Sequence, residues 1–113
     1  MSDPYVNLVD DAIEALQRRD LDDATRAVEA FATLEPKELI GELFLRLDEL
    51  TVDVDAGDLI DRASLPLPPR PLDLVVAAAN RDIASITEIL GDDFGHLLAG
   101  LLALIAAFDD ANS

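Results

Sequence analysis

Residues 94–108 read FGHLLAGLLALIAAF, a run that is apolar on every face of any helix it forms. Such a helix has to be enclosed by other helices, by a second subunit or by lipid. Lipid fits least well. The run is shorter than the roughly 20 residues a membrane span needs, and Asp92, Asp93, Asp109 and Asp110 bound it with no basic flank. In a chain of 113 residues the first expectation is a central core helix around which everything else packs. The second is a subunit interface. Gly95, Ala99, Ala103 and Ala107 recur every fourth residue, a smooth stripe that lets another helix approach closely.

The rest of the chain supplies helices to do the enclosing. Ser2 or Asp3 is placed to cap a first helix with Pro4 at its first position, where a missing amide hydrogen costs nothing. Tyr5, Leu8, Val9, Ala12, Ile13 and Leu16 then make one apolar stripe. After a break at Asp20, Leu21, Ala24, Val28, Phe31 and Leu34 predict the buried face of a second helix, and Pro36 ends it or begins the next. A third helix is predicted over 37–50, with Leu39, Ile40, Leu43, Phe44, Leu47 and Leu50 inward.

Residues 51–55 alternate apolar and polar, but one extended piece without a mate makes no sheet, so a loop is expected, followed by a short helix over 58–63. Residues 64–71 hold four prolines, which forbid a helix and favour an extended strap. Two short helices follow over 72–80 and 83–90, and Gly91, Asp92 and Asp93 separate them from the apolar helix. The predicted fold is a single all-α domain, a bundle-like or orthogonal array of five to seven helices. An acidic half (1–63) and a second half (72–113) are joined by the proline connector (64–71).

The two halves share a pattern. Ala15 to Leu21 joins helix to helix through Arg19 and Asp20, and Ala78 to Ile83 does so through Arg81 and Asp82; each pair precedes a Leu-rich third helix. Two copies of a three-helix unit are expected. Such helix-turn-helix pairs resemble tetratricopeptide and ankyrin repeats in texture, but neither consensus is met over its length, and no family is assigned.

Charge narrows the partners. With 24 acidic against 8 basic residues the net charge is −16, which repels a phosphate backbone and disfavours direct nucleic-acid binding. Residues 1–64 carry 17 acids and 6 bases, so the front half is the better face for a basic partner. Salt adaptation or coding bias is the bland explanation of the same acidity. An apolar share of 50% beside 28% charged residues keeps the chain well away from disordered composition. The absence of Cys removes disulfides, thiolate metal sites and Cys nucleophiles. The N-terminus has no secretory pattern, and a cytoplasmic location is expected.

No constellation for catalysis stands out, and no catalytic, cofactor-binding or metal-binding residue is assigned. His96 is the only histidine and has no Ser or Cys partner in an identifiable elbow, so a surface role is expected. Asp53, Asp55 and Asp58 miss the calcium-loop pattern, because Gly57 falls at position five and Ser64 at position twelve. Pro66 and Pro69, and again Pro68 and Pro71, have the spacing of a groove-docking polyproline motif, but their place between two halves favours a stiff connector.

The functional expectation is therefore a non-enzymatic module that engages a basic protein surface: an inhibitor, an antitoxin or immunity-like factor, an adaptor, or a phage-encoded modulator. Its candidate contacts are Asp10, Asp11, Glu14, Asp22, Asp23, Glu29, Glu42, Asp48 and Glu49. The alternative is a self-associating structural or assembly protein, a homodimer joined through Gly95, Ala99, Ala103 and Ala107.

Overall fold

The enclosure of the apolar run organises the whole molecule. The computed structural model describes residues 4–112, and those residues form seven α-helices with no strand among them. In order they are α1 (Pro4–Gln17), α2 (Leu21–Ala30), α3 (Pro36–Thr51), α4 (Ala56–Arg62), α5 (Pro71–Ala79), α6 (Ile83–Leu90) and α7 (Phe94–Ala111). The cap expected at Ser2 or Asp3 lies outside the described residues.

α7 packs against α1, α3, α4 and α6. Leu97, Leu98, Leu101, Leu102, Leu104, Ile105 and Phe108 are all buried along it. Each such side chain contributes about 2 kcal/mol on leaving water, so this helix anchors the core. It is also the one helix long and apolar enough to cross a membrane among the described residues, yet half of it is buried against the chain's own helices. The radius of gyration, 12.9 Å, is close to the roughly 13 Å expected of a compact domain this long.

Aspartates set where four of the helices begin. Asp20, Asp55, Asp82 and Asp93 each precede a helix and accept a hydrogen bond from a backbone N–H of its first turn: those of Asp23 (3.1 Å), Gly57 (3.0 Å), Ser85 (3.2 Å) and Gly95 (2.8 Å). Each bond satisfies an amide that the helix itself leaves without an acceptor. The cap at Asp55 explains why α4 starts at Ala56, two residues earlier than its apolar spacing predicts. α3 gains a residue at each end, Pro36 and Thr51, because Pro36 occupies the first turn, where it is tolerated. α7 runs past Phe108 to Ala111, since Asp109 and Asp110 face solvent without interrupting the backbone ladder.

Two local expectations need correction. The second helix does not continue to Leu34: α2 stops at Ala30 and Phe31–Thr33 tighten into a 3-10 turn, which still drives Phe31 into the core at 2% exposure. Leu21 is not on the buried face. It sits at the first position of α2, on the wall of an open groove, and is 73% exposed.

The strap over 64–70 is non-helical and is held by its leucines, with Leu65 buried and Leu67 half-buried. Its end at Arg70 is left-handed (φ 48°), which turns the chain into α5. Between α6 and α7, Gly91 adopts φ 115°, a value side-chain-bearing residues rarely take. Gly100 serves close approach instead: a Cβ there would lie 2.6 Å from Leu90 Cδ2, so its absence lets α6 settle on α7.

Candidate functional site

Two of the helices that bury α7, α1 and α3, also build an acidic recess of the surface together with it. Along α1, Asp10, Glu14 and Gln17 follow one another at spacings of four and three, which places them on one face. On α3, Arg46 and Glu49 do the same, and on α7, Ile105 and Asp109. The three faces meet in a groove of about 300 Å³ whose apolar floor is Ile13, Leu50 and Ile105. Four carboxylates line it, Asp10, Glu14, Glu49 and Asp109, with a single guanidinium, Arg46.

That guanidinium is already committed. Arg46 pairs with Asp10 across the groove and with Glu42 one turn back at 3.1 Å, and it donates to the Val6 carbonyl at 3.3 Å. Burial opposes its charge, but the bonds to Asp10 and Glu42 outweigh that and hold its pKa above the ordinary value. Gln17 Nε2 donates to Asp109 at 2.7 Å and to the Ala106 carbonyl at 3.3 Å, tying the end of α1 to α7. Glu14 and Glu49 make no ion pair among the described residues and are exposed. The groove therefore presents uncompensated negative charge over a greasy floor, a surface suited to the long stem and cationic head of Arg or Lys.

Of the nine acids read from sequence as contacts, Asp10, Glu14 and Glu49 meet here. Asp11 and Asp23 share a second recess with the other side of Glu14, between α1 and α2, where Arg18 and Arg26 approach Asp23 at 3.5 and 3.7 Å and offset its charge. Glu42 is drawn inward by Arg46, and Asp48 is taken by Arg81 at 2.6 Å. Asp22 and Glu29 are exposed on α2 and make no ion pair among the described residues. Sequence reasoning did not foresee Asp109, which lies beyond the predicted end of the last helix, or Arg46. The only sequence signal for Arg46 was its position four residues after Glu42.

The other features singled out in the sequence are dispersed. His96 is exposed, with Nδ1 3.9 Å from Asp93. Asp58 lies opposite Arg62 at 4.0 Å in α4, while Asp55 is that helix's cap. Among the described residues no three or more His, Cys, Asp or Glu side chains gather closely enough to hold a metal ion. Pro66 and Pro69 are exposed while Pro68 is half-buried. On α7 the small-residue stripe divides: Ala107 is fully buried in the chain's own core, Ala103 is half-buried, and Gly95 and Ala99 are exposed.

No protein family model, curated protein sequence or solved structure matches the chain. The geometry alone bears on what the groove does.

Proposed function

We propose that this protein is a non-enzymatic binding module, active in the cytoplasm, that engages a basic surface of another protein through the groove between α1, α3 and α7. The observation that carries this reading is the juxtaposition of Glu14 and Glu49 with Asp10 and Asp109 over Ile13, Leu50 and Ile105. Carboxylates spread evenly over a surface serve solubility. Here they converge on apolar contact area, and that combination favours both steering and capture of an Arg or Lys side chain. An inhibitor, an antitoxin or immunity-like factor, an adaptor and a phage-encoded modulator are all roles such a module fills.

The test is capture at low salt with the wild-type chain and with a Glu14→Gln, Glu49→Gln double variant. A basic protein that binds the first, elutes as salt rises and is lost from the second supports the reading. Equal recovery by both, or recovery of nothing by the wild type, ends it. Self-association through α7 is the second reading, favoured by Gly95 and Ala99 standing exposed one turn apart on that helix. A single-chain solution mass at high concentration removes it.

A further inference from the structure

A second groove, larger and apolar, opens on another side of α7. Its base is Ala103 and Ala106, and its walls are Leu16 and Leu21 from the α1–α2 junction and Leu65 and Pro66 from the strap. Its volume is about 620 Å³, room for more than one large side chain. Arg19 ties two of the walls together, donating to the Ser64 carbonyl at 3.3 Å. At its lip Leu21 is 73% exposed, the most exposed of the three leucines lining the groove and a ready anchor for a partner's apolar side chain.

The shape of the base says what kind of element fits. Beyond the groove Ala99 and Gly95 follow along α7 as exposed small residues, and from Gly95 to Ala106 the helix rises about 16 Å, three turns. A small-residue floor with leucine walls accepts a helix that presents large apolar residues at i, i+3 or i+4 and i+7. The rim says what charge that helix carries. The one charged side chain in the lining, Arg19, is turned to the Ser64 carbonyl, and three carboxylates stand around it: Asp110, which accepts a hydrogen bond from Ser64 Oγ at 2.8 Å, at one end, and Asp20 and Asp22 on either side of Leu21. A second copy of this chain would bring another net −16 against that rim, whereas Lys or Arg beside the apolar stripe would meet carboxylates.

We infer that the groove between the α1–α2 junction, the strap and α7 is the docking slot for an amphipathic helix of a partner protein, apolar on the seated face and flanked by Lys or Arg. The inference deepens the proposed function and rests on it: the acidic groove attracts the basic partner, and the apolar slot seats one of its helices.

The probes are three labelled 18-residue helical peptides, one built of Leu and Lys with an amphipathic stripe, one with Glu in place of each Lys, and one with Ser in place of each Leu. Binding is followed by fluorescence anisotropy at low salt, with amide shifts mapping the site. Leu21→Gln and Ala103→Gln are the slot variants; Leu21 is exposed enough for the first to fold even if the second does not. The expected result is binding of the Leu/Lys peptide with shifts at Ala99, Ala103 and Leu65, weakened at least tenfold by Leu21→Gln. The Ser/Lys peptide binds at least tenfold more weakly and is indifferent to that variant. Equal Leu/Lys binding to wild type and Leu21→Gln overturns the slot while leaving the acidic groove in place. Equal binding of the Leu/Glu peptide overturns the basic occupant. A two-chain mass that reverts to one chain in Leu21→Gln makes a second copy the occupant and overturns the inference. Failure of all three peptides overturns the slot, while the low-salt capture with the Glu14→Gln, Glu49→Gln variant decides the acidic groove separately.

Discussion

The α1–α2 and α5–α6 turns have the same backbone and do different things with it. In the first, Arg19 donates to the Leu16 carbonyl (3.0 Å) and Asp20 to that of Ala15 (2.9 Å); in the second, Arg81 donates to Ala78 (3.1 Å) and Asp82 to Ala77 (2.8 Å). Both arginines are left-handed, with φ 60° and 56°, a conformation in which glycine is the usual residue. Both aspartates then cap the next helix. The side chains part company from there. Arg81 reaches Asp48 on α3 at 2.6 Å and lies 5.1 Å from the centre of the Phe44 ring, so the second turn is closed by a neighbouring helix. Arg19 reaches only the strap, and the residue after its cap, Leu21, is left over an open groove. One local design thus yields a structural joint in one half and an available surface in the other.

The comparison breaks most sharply at the helix both pairs share. Phe108→Ala removes a fully buried ring from α7, which packs on α1 and on α6, and should cost about 3–5 kcal/mol with both halves unfolding in one transition. Two separate transitions in urea would show the halves to be independent. Gly100→Ala strikes the second half alone, because the new methyl meets Leu90 of α6; the clash costs about 1–3 kcal/mol and the better helix former returns about 1 kcal/mol, so a net loss of up to about 2 kcal/mol is expected, with amide exchange accelerating in α6 before α1 or α2.

Smaller and more discriminating are the arginine-to-glycine changes. Each relieves about 1 kcal/mol of left-handed strain. Arg19→Gly gives up one exposed hydrogen bond and should raise stability by about 1 kcal/mol. Arg81→Gly gives up an exposed ion pair and a contact with an aromatic ring, together about 1 kcal/mol, and should leave stability near the wild-type value. Urea midpoints check both, and equal gains would mean that Arg81 contributes nothing across to α3.

The smallest expected effect should be common to both turns. Asp20 is held below its ordinary pKa chiefly by the Asp23 N–H, and Asp82 chiefly by the Ser85 hydroxyl and then its N–H. A carboxyl depressed in the folded state adds stability above its unfolded value of about 3.9, and that stability is lost as pH falls through the lower folded value. Asn still accepts the capping bond but does not titrate, so the Asp20→Asn, Asp82→Asn variant should lose less stability than wild type between pH 5 and pH 3. Parallel curves would remove the caps from the acid response.

The sequence by itself determined that the chain is all-α, that residues 94–108 lie in the central helix, and that the helices break at Asp20, at Arg81 and Asp82, and at Gly91 to Asp93. Those outcomes depend on residues within a turn or two of one another, where apolar spacing and the reach of a carboxylate to an amide decide the matter. Only the tertiary structure decided which acids converge and which are offset, since Asp10 with Arg46, Asp48 with Arg81 and Gln17 with Asp109 are partners 36, 33 and 92 residues apart. It also decided that Ala107 is enclosed while Ala99 and Leu21 face water, because four helices and the strap cover α7 unequally and no periodicity within one helix records where its neighbours end.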